Sequence, residues 1–100
     1  MATGELLHDK LNRETAKLQW QELEKAYSQG RVLWVNRSCD LIEVAVALGE
    51  DRVSAVKAWM DKGELEKLDD IRARDYAARE AVFWAVVIAP WVLVQEADSA

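Results

Sequence analysis

An α+β domain is the fold class this chain predicts, on three observations. The first is an unbroken apolar run, Ala81 to Val94 (AVFWAVVIAPWVLV), rich in β-branched and aromatic residues. Such side chains suit a pleated sheet better than a helix. The second is a pair of apolar, helix-periodic segments between Asp40 and Lys62 that meet at Gly49. The third is a helical spacing of apolar residues within the polar stretch from Glu5 to Ser28. Together they predict winged-helix-like helices plus a small, mainly antiparallel sheet, with an N-terminal helical pair.

The totals set the frame. A chain of 100 residues is one domain, 1–100, with an ordered core of about residues 5–95. Half the residues are hydrophobic and 31% are charged, which is globular composition. The net charge of −5 disfavours nucleic acid and anionic membrane, both of which need cationic surface. Cys39 is the single cysteine, so no internal disulfide forms and a reducing cytoplasm is expected. The N-terminus, MATGELLHDK, has no apolar core of the kind a secretion signal needs. The longest apolar run is too short to span a bilayer as a helix, which takes about 20 residues.

Taken in order, Glu5–Lys17 reads as a helix with Leu7, Leu11 and Leu18 on its stripe. A second helix, from about Trp20 to Ser28, shares Trp20, Leu23 and Tyr27 on one face. Gln29-Gly30 ends it, the glycine supplying a positive φ. Arg31–Val35 is a short strand. Ser38 or Asp40 caps the helix Leu41–Leu48, whose only charge is Glu43, so it belongs to the core. Gly49 stops that helix. Asp51 is expected to cap the next, about Arg52 to Lys62, which should bury Val53, Val56, Trp59 and Met60 before Gly63 closes it. Leu65–Leu68 is a short edge strand. Asp69-Asp70 caps a polar helix to about Arg79, with i,i+4 pairs Asp70–Arg74 and Asp75–Arg79. Both ends, Met1–Thr3 and Ala97–Ala100, should fray.

The final run carries no alternation, so both of its faces should be buried. Pro90 cannot donate to a central ladder. The run is therefore two strands meeting at Ala89-Pro90, or one strand bulged there. One face takes the helices; the other is expected to take a second subunit, because so large an exposed patch is a liability. The candidate interface is Phe83, Trp84, Val87, Trp91 and Val92, and the expected partner is a second copy, giving a homodimer, or another protein.

A competing reading comes from the helix pair. Ala45 stands four residues before Gly49, the spacing that lets the two helices of a helix-turn-helix approach. A DNA-binding winged helix would read bases with Arg52, Ser54, Lys57 and Lys62. Glu50, Asp51, Asp61, Glu64 and Glu66 surround them, which makes packing the preferred role. Asp40, Glu43 and Glu14 are the carboxylates to consider for acid–base work; a cap and a solvated helix face explain them as well. His8 and Cys39 have no companions at metal-ligand or nucleophile spacing. No catalytic, cofactor-binding or metal site is expected.

The segments LHDKLNRETAKLQW, GRVLWV, DLIEVAVAL and FWAVVIAPWVLVQ resemble a family of short bacterial proteins catalogued as a domain of unknown function. The resemblance runs from about Leu7 to Gln95. It implies a single-domain, cytoplasmic bacterial protein and carries no activity, cofactor or catalytic residue. The expected function is a protein-interaction or regulatory module that self-associates, not an enzyme.

Overall fold

The structure, a computed structural model, describes residues 3–97, with side chains from Leu7 onward. The elements in order are α1 (Thr3–Glu14), β1 (Ala16–Gln19), α2 (Trp20–Ser28), β2 (Val32–Val35), α3 (Leu41–Gly49), α4 (Val53–Asp61), β3 (Leu65–Lys67), α5 (Asp70–Arg79), β4 (Val82–Ile88) and β5 (Trp91–Glu96). The sheet has five strands in the order β1-β4-β5-β2-β3. Three pairings are antiparallel and one, β2 with β5, is parallel.

The apolar run resolves into the β4–β5 hairpin. Val82–Ile88 pairs back on Trp91–Glu96 through Ala89-Pro90, a cis peptide. A proline at the turn owes the ladder no donor, so its missing N–H costs nothing there. The hairpin lies at the centre of the sheet, and this chain covers most of both its faces, leaving Trp84 on one and Val87 on the other exposed. On one face Phe83, Ala85, Val92 and Val94 pack with Trp20 and Leu23 of α2 and Ala73 and Tyr76 of α5. On the other, Val86 and Leu93 pack with Leu11 of α1 and with the buried residues of α3. Burial on both faces was the expectation. Where a second subunit is expected as one of the two covers, α1 and α3 of this chain pack on Val86 and Leu93.

The winged-helix part of the expected fold does not emerge. A ten-residue helix, α5, stands between β3 and β4, so no hairpin directly follows the helix pair. The order strand, helix, helix, strand is present, but it sits inside a wider sheet with helices on both sides.

Several local expectations are met by the side chains named for them. Asp40 Oδ1 accepts from the backbone N–H groups of Ile42 (3.0 Å) and Glu43 (3.2 Å), and Asp69 accepts from Arg72 N–H at 2.7 Å. Gly30 and Gly63 take positive φ, 70° and 72°. Asp75 pairs with Arg79 at 2.9 Å.

Others need correction. The first helix ends at Glu14, where the Thr15 hydroxyl donates to the Leu11 carbonyl at 2.8 Å. Ala16–Gln19 then pairs with β4 as an edge strand. Leu18, expected on the helix stripe, packs on the sheet instead. Asp51 does not cap α4; it takes the left-handed turn, φ 54°, and Arg52 stands at the cap without a side-chain bond. Gly49 therefore is not the positive-φ residue of that turn. Its lack of a side chain admits Leu7, whose Cδ2 lies 2.9 Å from where a Cβ would stand. Asp70 receives the Tyr27 hydroxyl in place of the expected Arg74 pair. Of the ends expected to fray, Thr3 begins α1 and Ala97 is buried, its N–H donating to the Val82 carbonyl at 3.0 Å. Met1, Ala2 and 98–100 lie outside the described residues.

Candidate functional site

Helix α4 is where the folded chain leaves apolar surface unused. Its stripe was expected to be buried, yet none of its residues is. Val53 is 72% exposed and Met60 53%. Val56 and Trp59 do anchor the helix, half-buried against the cluster formed by α3. The cause is a shortage of neighbours. Helix α3 is buried nearly all round, and Ala47 and Leu48 are its residues beside the exposed stripe of α4. A nine-residue helix with apolar side chains at 53, 56, 59 and 60 has more apolar arc than α3 and the short strand β3 cover.

Two hollows flank this helix. One, of about 240 Å³, is lined by Ala47, Leu48, Val53, Val56 and Met60 with Arg52 and Lys57 at its rim. The other, of about 290 Å³, is lined by Leu33, Leu65 and Trp91, with Lys67 and Glu66 at its rim. They share Leu48, Val56 and Met60, so they adjoin across those side chains; the groove is the apolar surface they make along α4. The rim chemistry is uneven. Arg52 is engaged by Glu50 at 2.6 Å, and Glu66 by Arg72 at 2.8 Å. Lys67 leans over the Trp91 ring, its Nζ 5.7 Å from the centroid.

The expected interface residues are not brought together. Phe83 is fully buried and Val92 nearly so, at 8%; both belong to the core under α2 and α5 and are corrected as surface contacts. Val87 is exposed on that same sheet face. Trp84 is exposed on the opposite face, under the Lys17 ammonium at 5.1 Å from its ring. Trp91 alone of the five lines the groove. The residues considered for DNA, Arg52, Ser54, Lys57 and Lys62, are all exposed at α4. Arg52 and Lys57 border an apolar floor rather than a cationic face.

The carboxylates do not converge. Asp40 is committed to its cap, Glu43 points to solvent on α3 and Glu14 ends α1. No cluster of metal-ligating side chains occurs among the described residues. Burial pushes the Cys39 thiol up from its ordinary value, away from the thiolate a nucleophile needs. The Cys39 and Asn36 carbonyls hold the Gln95 amide, at 2.7 and 3.0 Å, which pins the loop before α3 to β5. No helix among the described residues is long and apolar enough to cross a membrane.

The fold and surface define a small α+β domain with a mixed five-stranded sheet between two helical layers and one open apolar groove. Residues 6–96 match the family model described as "Protein of unknown function (DUF2288)", and the chain belongs to that family. The structure is similar to the NMR solution structure of PA1075 from Pseudomonas aeruginosa, with a TM-score of 0.82 and 40% sequence identity. That match covers 100% of this chain and 94% of the other. Among curated proteins no match was found.

The groove residues Leu48, Val53 and Met60 were missed as a surface because an apolar stripe reads as core. The available signal was the neighbour count: α3 is apolar on nearly every side, so its area was already committed to the sheet.

Proposed function

We propose that this chain is a protein-interaction module that docks a partner's apolar segment in the groove along α4. The observation that carries the reading is the exposure of Val53 and Met60 on a helix whose remaining apolar residues continue into two adjoining hollows. Contiguous apolar surface rimmed by charge is the usual mark of a protein contact, and a groove beside a helix suits the apolar face of another helix. The single cysteine fits a reducing compartment, so the proposed place of action is the bacterial cytoplasm. The groove competes with the last strand as the contact surface, since Phe83 and Val92 are committed to the core. It also competes with a DNA-reading role for α4, since Val53 and Met60 offer nothing to phosphate.

The test is a magnetic-resonance titration of the labelled chain with an uncharged amphipathic helical peptide. Shifts clustered on Leu48, Val56 and Met60, lost in a folded Met60→Glu variant, support the reading. Shifts confined to Trp84 and Val87, or no shifts at all, overturn it.

A further inference from the structure

We propose that α4 undocks and melts as one unit, between Asp51 and Gly63, while the five-stranded sheet stays folded. The proposal concerns the wall of the groove and not its occupant, so it stands apart from the docking reading above.

The helix is thinly anchored. Helices α2, α3 and α5 each bury two side chains or more, and α1 buries Leu11. None of the nine residues of α4 is buried. Val56 and Trp59 tie it to the α3 cluster, and both are half-buried. Further along, a hollow of about 290 Å³ is lined by Val56 and Met60 on the helix side and by Leu33, Leu65 and Trp91 on the sheet side. The cost of a local opening follows the apolar contact it breaks. A nine-residue helix stripped of its neighbours does not persist in water, so undocking also melts it.

The two ends favour the same event. Asp51 holds the left-handed φ of 54°, a strain that opening releases. Arg52 gives the cap no side-chain bond, where Asp40 and Asp69 serve α3 and α5. The first turn holds no acidic residue and the last turn no basic one, so neither end answers the helix dipole. Gly63, at φ 72°, marks the other boundary.

The flanks are held independently. The Glu50 N–H donates to the Val46 carbonyl at 2.9 Å, within the end of α3, and the Asn36 N–H to the Glu64 carbonyl at 2.9 Å. Beyond Glu64, β3 stays on β2 through Val35 with Leu65 and Leu33 with Lys67. The open form therefore bares Leu33 and Leu65, which are 7% and 2% exposed when α4 is docked, and gives the groove a deeper apolar floor.

The experiment is native-state hydrogen exchange on the full labelled chain at low urea concentrations. The amides from Val56 to Lys62 should share one protection factor, at least about tenfold below those of β4 and β5. It should respond less steeply to urea, because less surface is exposed. Val94→Ala, in the core on the far side of the sheet from α4, should lower β4 and β5 protection by about tenfold or more and leave that of α4 unchanged, since Val94 stays packed in the open form. Asp51→Gly should raise α4 protection about fivefold. Protection of α4 equal to that of the sheet, or falling with it in Val94→Ala, would overturn the proposal, because α4 would then open only with the whole domain. Protection graded from the helix ends inward would overturn the single unit, and no gain in Asp51→Gly would overturn Asp51 as its boundary. Peptide docking at the closed groove, or its failure, alters none of these readings.

Discussion

The Trp34 indole N–H donates to the Tyr76 hydroxyl at 3.0 Å, and that bond ties the inner strand β2 to helix α5 across the sheet face. The same indole carries the Arg72 guanidinium on its ring, 3.8 Å from the centroid. Tyr76 in turn stands edge-on to Phe83 at 4.7 Å. One hydroxyl thus anchors a stack from the β2 surface to the centre of the core.

Alkaline unfolding should pass through that hydroxyl. Burial raises the Tyr76 pKa above its ordinary 10.0, and the Trp34 N–H donated to its oxygen lowers it by less. The neutral phenol is the form the fold favours. Its contribution to stability is complete below pH 10 and is lost as pH rises through the higher folded value. Tyr27 shifts the same way, chiefly through its bond to Asp70. Tyr76→Phe should therefore flatten, without abolishing, the fall in stability above about pH 10. It should cost about 1–2 kcal/mol at neutral pH by leaving the Trp34 N–H unpaired. Urea titrations at neutral and alkaline pH check both; an unchanged alkaline slope refutes the assignment.

Glu80 closes α5 in the left-handed conformation, φ 52° and ψ 49°, where a side chain is strained. Glu80→Gly should gain about 1 kcal/mol, a rise in Tm of about 4–8 °C for a domain of this size. Glu80→Ala keeps the strain and should gain nothing. Thermal melts of the two variants separate backbone relief from the loss of a charge.

Gly49 and Leu7 should be coupled. A Cβ at 49 meets Leu7 Cδ2 at 2.9 Å, so Gly49→Ala must displace α1 or its leucine. In a Leu7→Ala background the clash is gone, and the same substitution should become stabilising by up to about 1 kcal/mol through helix propensity. A double-mutant cycle reads the change of sign; strictly additive effects would show that the contact does not exist.

Phe83 and Val87 lie on one face of one strand and should respond very differently to truncation. Phe83 is fully buried and Val87 is 58% exposed. Phe83→Ala should cost about 3–5 kcal/mol, near the whole margin of a small domain. Val87→Ala should stay within about 0.5 kcal/mol. Comparable losses would mean that the Val87 surface is covered in solution.

Local chemistry was legible in this sequence, and tertiary partition was not. The Asp40 and Asp69 caps, Gly30, Gly63 and the break at Pro90 follow from backbone requirements that a few neighbouring residues satisfy. The strand Ala16–Gln19 was hidden because Leu18 fits both a helical stripe and an edge strand, and only β4 decides between them. Val53 and Met60 look like core for a similar reason: a stripe records what a helix can bury, not how many neighbours arrive to bury it. Of the expected interface, Trp91 lines the groove while Phe83 and Val92 face inward, because a run with both faces apolar does not say which helices of its own chain will reach it.

The strand order β1-β4-β5-β2-β3 places the last two strands in the middle of the sheet. As the chain leaves the ribosome, β1, β2 and β3 are already made, yet only β3 has its one neighbour, β2; β1 and β2 wait for β4 and β5. The first 81 residues hold all five helices, whose sheet-facing apolar residues lack the two central strands until the hairpin forms and β5 closes in parallel on β2. A chain truncated before the hairpin loses the strands that join β1 to β2, and with them the whole domain instead of one edge.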